Sequence, residues 1–91
     1  MVTTAYAVEF RPEARDALRR LNKAAAQRIL DKIKWLAKNY DGVPHEVLTG
    51  EFRGLFKLRI GDYRVIYAVD AVGHLIIVHL IGHRRSIYER R

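Results

Sequence analysis

The sequence predicts an α+β domain: an N-terminal strand, a helical hairpin, then antiparallel strands that form a sheet of about four strands with the helices on one face. Three observations carry this. Apolar residues in the first half recur every three or four positions, and in the second half they alternate. The cluster Tyr40-Asp41-Gly42-Val43-Pro44, dense in turn formers, marks the change. Beyond it, Gly61-Asp62 separates two strand-like runs by the length of a two-residue hairpin loop. Without repeats, linkers or low-complexity tracts, residues 1–91 read as one domain.

Thr4 to Phe10 alternates loosely, with Tyr6, Val8 and Phe10 on one side, and is the first expected strand. Pro12 stands where a first helical turn tolerates proline, and Glu13 and Asp16 suit the positive end of the helix dipole. A helix over residues 12–21 would bury Ala14, Ala17, Leu18 and Leu21, with Asn22 ending it or capping its successor. The second helix, over residues 23–39, carries Ala26, Ile29, Leu30, Ile33, Leu36 and Ala37 as an apolar stripe. Trp35 lies off that stripe.

The runs 55–60 and 63–69 are the next two strands, and a two-residue loop fixes their register. Ile60 opposes Tyr63, Arg59 opposes Arg64, Leu58 opposes Val65, Lys57 opposes Ile66 and Phe56 opposes Tyr67. One face then carries Phe56, Leu58, Ile60, Tyr63, Val65 and Tyr67, against which the helices should pack. The other receives Lys57, Arg59 and Arg64 together. Like charges directly opposed across two strands cost stability, so folding alone would not select Arg59 opposite Arg64, whereas an anion seated among three cations would. The last strand, residues 74–82, is apolar on both faces and should be central, with the first strand beside it.

Composition narrows the function classes. Hydrophobic residues make up 49% and charged residues 30%, as in a folded globule. With no cysteine there is neither a disulfide framework nor a thiolate metal site, and no two of the four histidines have metal-ligand spacing on one helix. No metal or other cofactor is expected. Seventeen Lys and Arg against ten Asp and Glu give a net charge of +7, and twelve of the cations are arginine, the side chain suited to bidentate phosphate contacts. A polyanionic partner follows. The N-terminus has no signal-like apolar run and the segment 75–81 is too short to span a bilayer, so a cytoplasmic protein without membrane contact is expected.

The tail brings His83, Arg84, Arg85, Tyr88, Arg90 and Arg91 into ten residues. His83 reads equally as a strand-end residue bonded to backbone and as a catalytic or phosphate-binding group. His79 reads as a core residue, and His45 and His74 have no partner legible in the sequence. Tyr88 stands so near the chain's end that packing offers little reason for an aromatic ring.

The pieces "GLFKLRIGDYRVIYAVD" and "IIVHLIGHRRSIY" resemble the C-terminal half of the RelE/ParE superfamily of bacterial and archaeal toxins, closest to its RelE branch. Length, element order, positive charge and lack of cysteine agree over the whole chain, and the N-terminal half agrees in pattern only. The resemblance implies a RelE-like microbial RNase fold and the toxin of a type II toxin-antitoxin module. It implies an mRNA interferase that cuts the message in the ribosomal A site, with ribosome and mRNA as partners and an acidic RelB-like antitoxin that neutralises it. Lys57 and Arg59 match the two basic positions of the family's second strand, Arg64 the arginine of its "YR" pair, Arg84 the arginine after the last long strand and Tyr88 the tyrosine of the tail. Arg85 joins the RNA-binding set. The family often has lysine where this chain has Arg59, and a longer last segment; arginine preserves phosphate binding there but scarcely deprotonates.

Such a site works without a catalytic carboxylate, because RNA supplies its own nucleophile, the 2′-hydroxyl. Tyr88 is the first candidate for the base. Lys57, Arg59 and Arg64 would stabilise the phosphorane, and Arg84, or His83 as an alternative, would protonate the leaving oxygen. Two other readings stand beside this one: a ParE-like inhibitor of DNA gyrase without RNase activity, and a non-catalytic RNA-binding module. The ParE branches usually lack the full basic set with the tail tyrosine, so its presence favours the RNase.

Overall fold

A computed structural model describes residues 5–89; Thr4 of the expected first strand and the tail's Arg90 and Arg91 lie outside the described residues. The chain runs β1 (Ala7–Phe10), α1 (Pro12–Arg20), α2 (Lys23–Lys38), β2 (Glu46–Val47), β3 (Phe56–Ile60), β4 (Tyr63–Asp70) and β5 (Leu75–His83), with short 3-10 turns at Tyr40–Gly42, Gly50–Phe52 and Ile87–Glu89. Pro12 occupies the first turn of α1. The Asn22 carboxamide oxygen accepts from the Ala25 N–H at 2.8 Å and so caps α2, an interaction worth about 1 kcal/mol. Ile29, Ile33 and Leu36 are all but fully buried, and Ala25 joins them in place of Ala26, which with Leu30 is only half-buried. Trp35 stays 41% exposed, with Lys32 Nζ 3.9 Å over its ring.

The sheet has five strands in the order β1-β5-β4-β3-β2. It differs from the expected antiparallel sheet of about four strands in two ways. β2 is a two-residue strand paired antiparallel to β3, too short to show an alternation in sequence. β1 pairs with β5 in parallel. Three antiparallel reversals from β2 to β5 leave β5 with its edge open, and β1 fills that edge. The β3–β4 hairpin has the expected register at all five pairs, Ile60↔Tyr63 through Phe56↔Tyr67. Gly61, with φ +58°, supplies the left-handed residue that the tight loop needs.

Both helices cover one face, α1 against β5 and β1, α2 against β1 and β3. Tyr67, Val65 and Ile60 join Ile76, Val78 and Ile81 there, with Phe56, Leu58 and Tyr63 packed around them. Between Ile66↔Leu80 and Tyr67↔Val78 the ladder skips His79, a β-bulge that moves the inward positions of β5 from Ile76 and Val78 to Ile81. His79 is therefore half-buried at a sheet edge and not a core residue as the sequence suggests. The second face is also partly covered, since Ile87 in the last 3-10 turn is fully buried against Gly82.

A candidate phosphate site on the face away from the helices

The hairpin register puts Lys57, Arg59 and Arg64 on the face opposite the helices. After β5 the chain turns back over that face, bringing Arg84, Arg85 and Tyr88 to the same place. These six side chains line one cleft of about 350 Å³. The turn is tied down at its start by two contacts to one residue: the Arg84 N–H donates to the Asp62 carbonyl at 2.7 Å, and the Arg84 Nε lies 3.4 Å from the Asp62 carboxylate.

Arg59 and Arg64 oppose each other as expected, yet their guanidinium groups find separate acceptors. Arg64 Nη1 donates to the Gly61 and Tyr63 carbonyls, each at 2.9 Å. Arg59 reaches the other way, to Glu46 Oε2 at 3.3 Å. Lys57 Nζ meets the same carboxylate oxygen at 3.0 Å. Hydrogen bonds from Lys57 and Arg59 hold the Glu46 carboxyl below its ordinary range, so it is ionised at neutral pH. Five cations against the carboxylates of Glu46 and Asp62 leave an excess of three positive charges around the cleft. Such an arrangement can bind a phosphodiester and stabilise additional negative charge on it.

Tyr88 does have packing. Its ring meets Phe52 edge-on, with centroids 5.9 Å apart, and Lys57 Nζ lies 5.8 Å from its centroid. The hydroxyl is buried, with no hydrogen-bond partner among the described residues. His83 is not brought to the cleft. It pairs with Tyr63 on the helix-facing side, where their rings meet edge-on at 6.1 Å, and its Nδ1 accepts from the Arg85 N–H at 3.1 Å. Its alternation parity, set by the bulge at His79, turns it away from the other candidates.

Glu46 is the site residue that sequence reasoning missed, and His45 explains its position. The His45 ring bridges the Tyr67 hydroxyl and the Tyr40 carbonyl, both at 2.8 Å. Since a carbonyl only accepts, Nε2 carries the proton and Nδ1 accepts from the tyrosine. The sequence carries no signal for this short strand, because two residues show no alternation. Among the described residues, no three His, Asp or Glu side chains converge as metal ligands would.

Comparison with known proteins adds family membership to this geometry. Residues 8–88 match the family model described as the ParE toxin of the type II toxin-antitoxin system parDE. The chain belongs to this toxin family. As a RelE/ParE superfamily member it shares its fold with solved toxins. The toxin-antitoxin complex RelBE2 from Mycobacterium tuberculosis contains a chain with TM-score 0.80 and 25% identity over 91% of this chain and 95% of that one. The archaeal RelE-RelB complex from Pyrococcus horikoshii OT3 gives TM-score 0.70 and 28% identity, over 89% of this chain and 97% of that one. The isolated Escherichia coli RelE toxin has the same fold at TM-score 0.72 and 17% identity, over 87% and 84% of the two chains. A search of curated proteins returned no match. No helix among the described residues is long and apolar enough to cross a membrane.

Proposed function

We propose that this toxin is a ribosome-dependent mRNA interferase, cutting mRNA in the A site by attack of the RNA's own 2′-hydroxyl, and that an acidic RelB-like antitoxin holds it in check. The observation that carries the reading is the convergence of Lys57, Arg59, Arg64, Arg84 and Arg85 with one phenol, Tyr88, on a sheet face that the helical core does not need. The similarity to toxins solved as antitoxin complexes supports the partner.

In the reaction the 2′-oxygen bonds to the adjacent phosphorus and the bond from phosphorus to the 5′-oxygen breaks, leaving a cyclic phosphate and a 5′-hydroxyl. Tyr88, in its phenolate form, takes the 2′ proton and becomes the neutral phenol. Lys57, Arg59 and Arg64 bind the phosphate and its developing charge, which requires the Glu46 carboxylate to yield part of its hold on Lys57 and Arg59. With His83 on the other face, the leaving oxygen meets Arg84, kept in place by Asp62. A guanidinium stabilises that oxygen by hydrogen bonding far more readily than it gives up a proton, so the 5′-oxygen leaves as an alkoxide held by Arg84 and takes its proton from water.

Primer extension on a translated message, with and without ribosomes, tests the proposal: cuts in the wild type that Arg64→Thr abolishes would support it. The family model itself favours a second reading, a ParE-like inhibitor of DNA gyrase that cuts no RNA. Loss of gyrase supercoiling with an intact message would establish that reading instead. RNA binding without any cut would leave a non-catalytic RNA-binding module.

A further inference from the structure

A second cleft, of about 420 Å³, opens on the same side of the sheet, lined by Arg11, Phe52, Leu55, His79 and Leu80 among others. Its origin is topological. β1 ends at Phe10 opposite Val78, so the rest of β5 has no strand neighbour on that side, and the bulge at His79 falls at this point. The volume lies in the range of small-ligand sites. The floor is apolar (Phe52, Leu55, Leu80), and the polar groups are the Arg11 guanidinium, the His79 imidazole and the Glu13 carboxylate, which can accept from the N–H groups of a base edge. Burial and the nearby Arg11 push the His79 pKa below its ordinary value, so the imidazole is neutral at physiological pH and offers one donor and one acceptor.

The cleft adjoins the cationic site. Lys57, Ile66 and Leu80 form one row across β3, β4 and β5, so Leu80 stands two strand spacings, about 10 Å, from Lys57. Phe52 is a shared wall: it lines the cleft and also packs against the Tyr88 ring. An aromatic ring, a guanidinium and a neutral imidazole around an apolar floor are the groups that take up an unstacked base of single-stranded RNA.

We infer that this cleft is a nucleobase subsite, which receives a base next to the phosphate held by Lys57, Arg59 and Arg64 and makes cleavage sensitive to that base. The inference rests on the RNA reading of the cationic site. Phe52 supplies stacking surface, and Arg11 and His79 read the base edge.

The test titrates the dinucleoside monophosphates GpG, ApA, CpC and UpU into the full chain and follows side-chain NMR signals of His79, Phe52 and Arg64. The expected result is saturable shifts at all three residues, with affinities that differ among the four probes. Arg11→Gln and His79→Ala should each narrow those differences, and Phe52→Ala should weaken binding about tenfold. Both narrowing variants leave Phe52 and Tyr88 in contact, so a folding defect in Phe52→Ala does not decide the outcome. Shifts at Arg64 with none at His79 or Phe52 would overturn the subsite and leave the phosphate site standing. Shifts at His79 and Phe52 with none at Arg64 would support base binding and overturn the cleavage reading. No shift at any of the three would overturn both.

Discussion

Tyr88→Phe removes a single oxygen, and the structure assigns that oxygen an unusual balance of costs. The hydroxyl is shielded from solvent and has no hydrogen-bond partner among the described residues, which costs a folded protein roughly 1–3 kcal/mol. The ring contacts, edge-on to Phe52 at 5.9 Å and 5.8 Å from Lys57 Nζ, survive in phenylalanine. The variant should therefore be as stable as the wild type or more so, by up to about 2 kcal/mol. In a domain of this size each kcal/mol moves Tm by about 4–8 °C. Cleavage should move the other way, because loss of a positioned base costs about 10² to 10⁴ in rate. Thermal unfolding is to be measured beside single-turnover cleavage on programmed ribosomes, with ribosome affinity as the control. Affinity should hold, since the phosphate contacts remain. A fall in Tm of several degrees would show that the hydroxyl has a partner in the folded protein. An unchanged rate would remove Tyr88 from proton transfer.

Arg64→Thr should cut the cleavage rate by orders of magnitude while changing stability by less than about 1 kcal/mol, because two hydrogen bonds to turn carbonyls are lost as the repulsion from Arg59 is relieved; paired denaturation and cleavage assays check this. Glu46→Gln should tighten RNA binding and steepen its salt dependence by up to about 0.7 in log–log slope, as one cation is freed for phosphate. Because the folded Glu46 carboxyl titrates below its ordinary range, it stabilises the fold above the unfolded carboxylate pKa of about 4.3, and that contribution fades as pH falls through the folded value. Acid titration of Tm should show the wild type losing slightly more than Glu46→Gln. His45→Phe should cost about 1–3 kcal/mol in urea denaturation, since it strands the Tyr67 hydroxyl, whose residue is 1% exposed. Co-expression with the product of an adjacent gene should give a stable complex and relieve toxicity, and its failure to do so would count against the antitoxin partner.

The hairpin was legible because two constraints agreed there. A two-residue loop permits one register, and that register put Phe56, Leu58, Ile60, Tyr63, Val65 and Tyr67 on one face, with Ile66 the large apolar side chain on the other. β1 and β5 were legible as strands but not in their relative sense, which depends on the reversals between them and not on local pattern. β2 and Glu46 escaped because two residues carry no periodicity, and the strand exists through tertiary contacts: its pairing to β3, the His45 hydrogen bonds and the ion pairs to Lys57 and Arg59. The bulge at His79 leaves no mark in a run of apolar residues, yet it decides which side chains of β5 point where. For that reason the sequence left His83 equally a strand-end residue bonded to backbone and a catalytic or phosphate-binding group.

The cationic face also shows how a protein keeps a site that folding would not select. Opposed guanidinium groups destabilise a hairpin, and here each is given an acceptor of its own: turn carbonyls for Arg64, Glu46 for Arg59. Asp62 does the same for Arg84. These acceptors differ in what they imply for substrate. The bonds from Arg64 are to backbone carbonyls, which carry no net charge and compete weakly with a phosphate. The Glu46 carboxylate is a full anion on two of the five cations, so a phosphodiester entering the cleft must exchange with it. Binding of a phosphodiester would then replace one anion by another, and in the proposed cleavage a phosphorane would gain more from the five cations than the singly charged ground state does. In the proposed reaction the cost of displacing Glu46 falls on both states alike, and it is the second charge of the phosphorane that lets the cations favour the transition state.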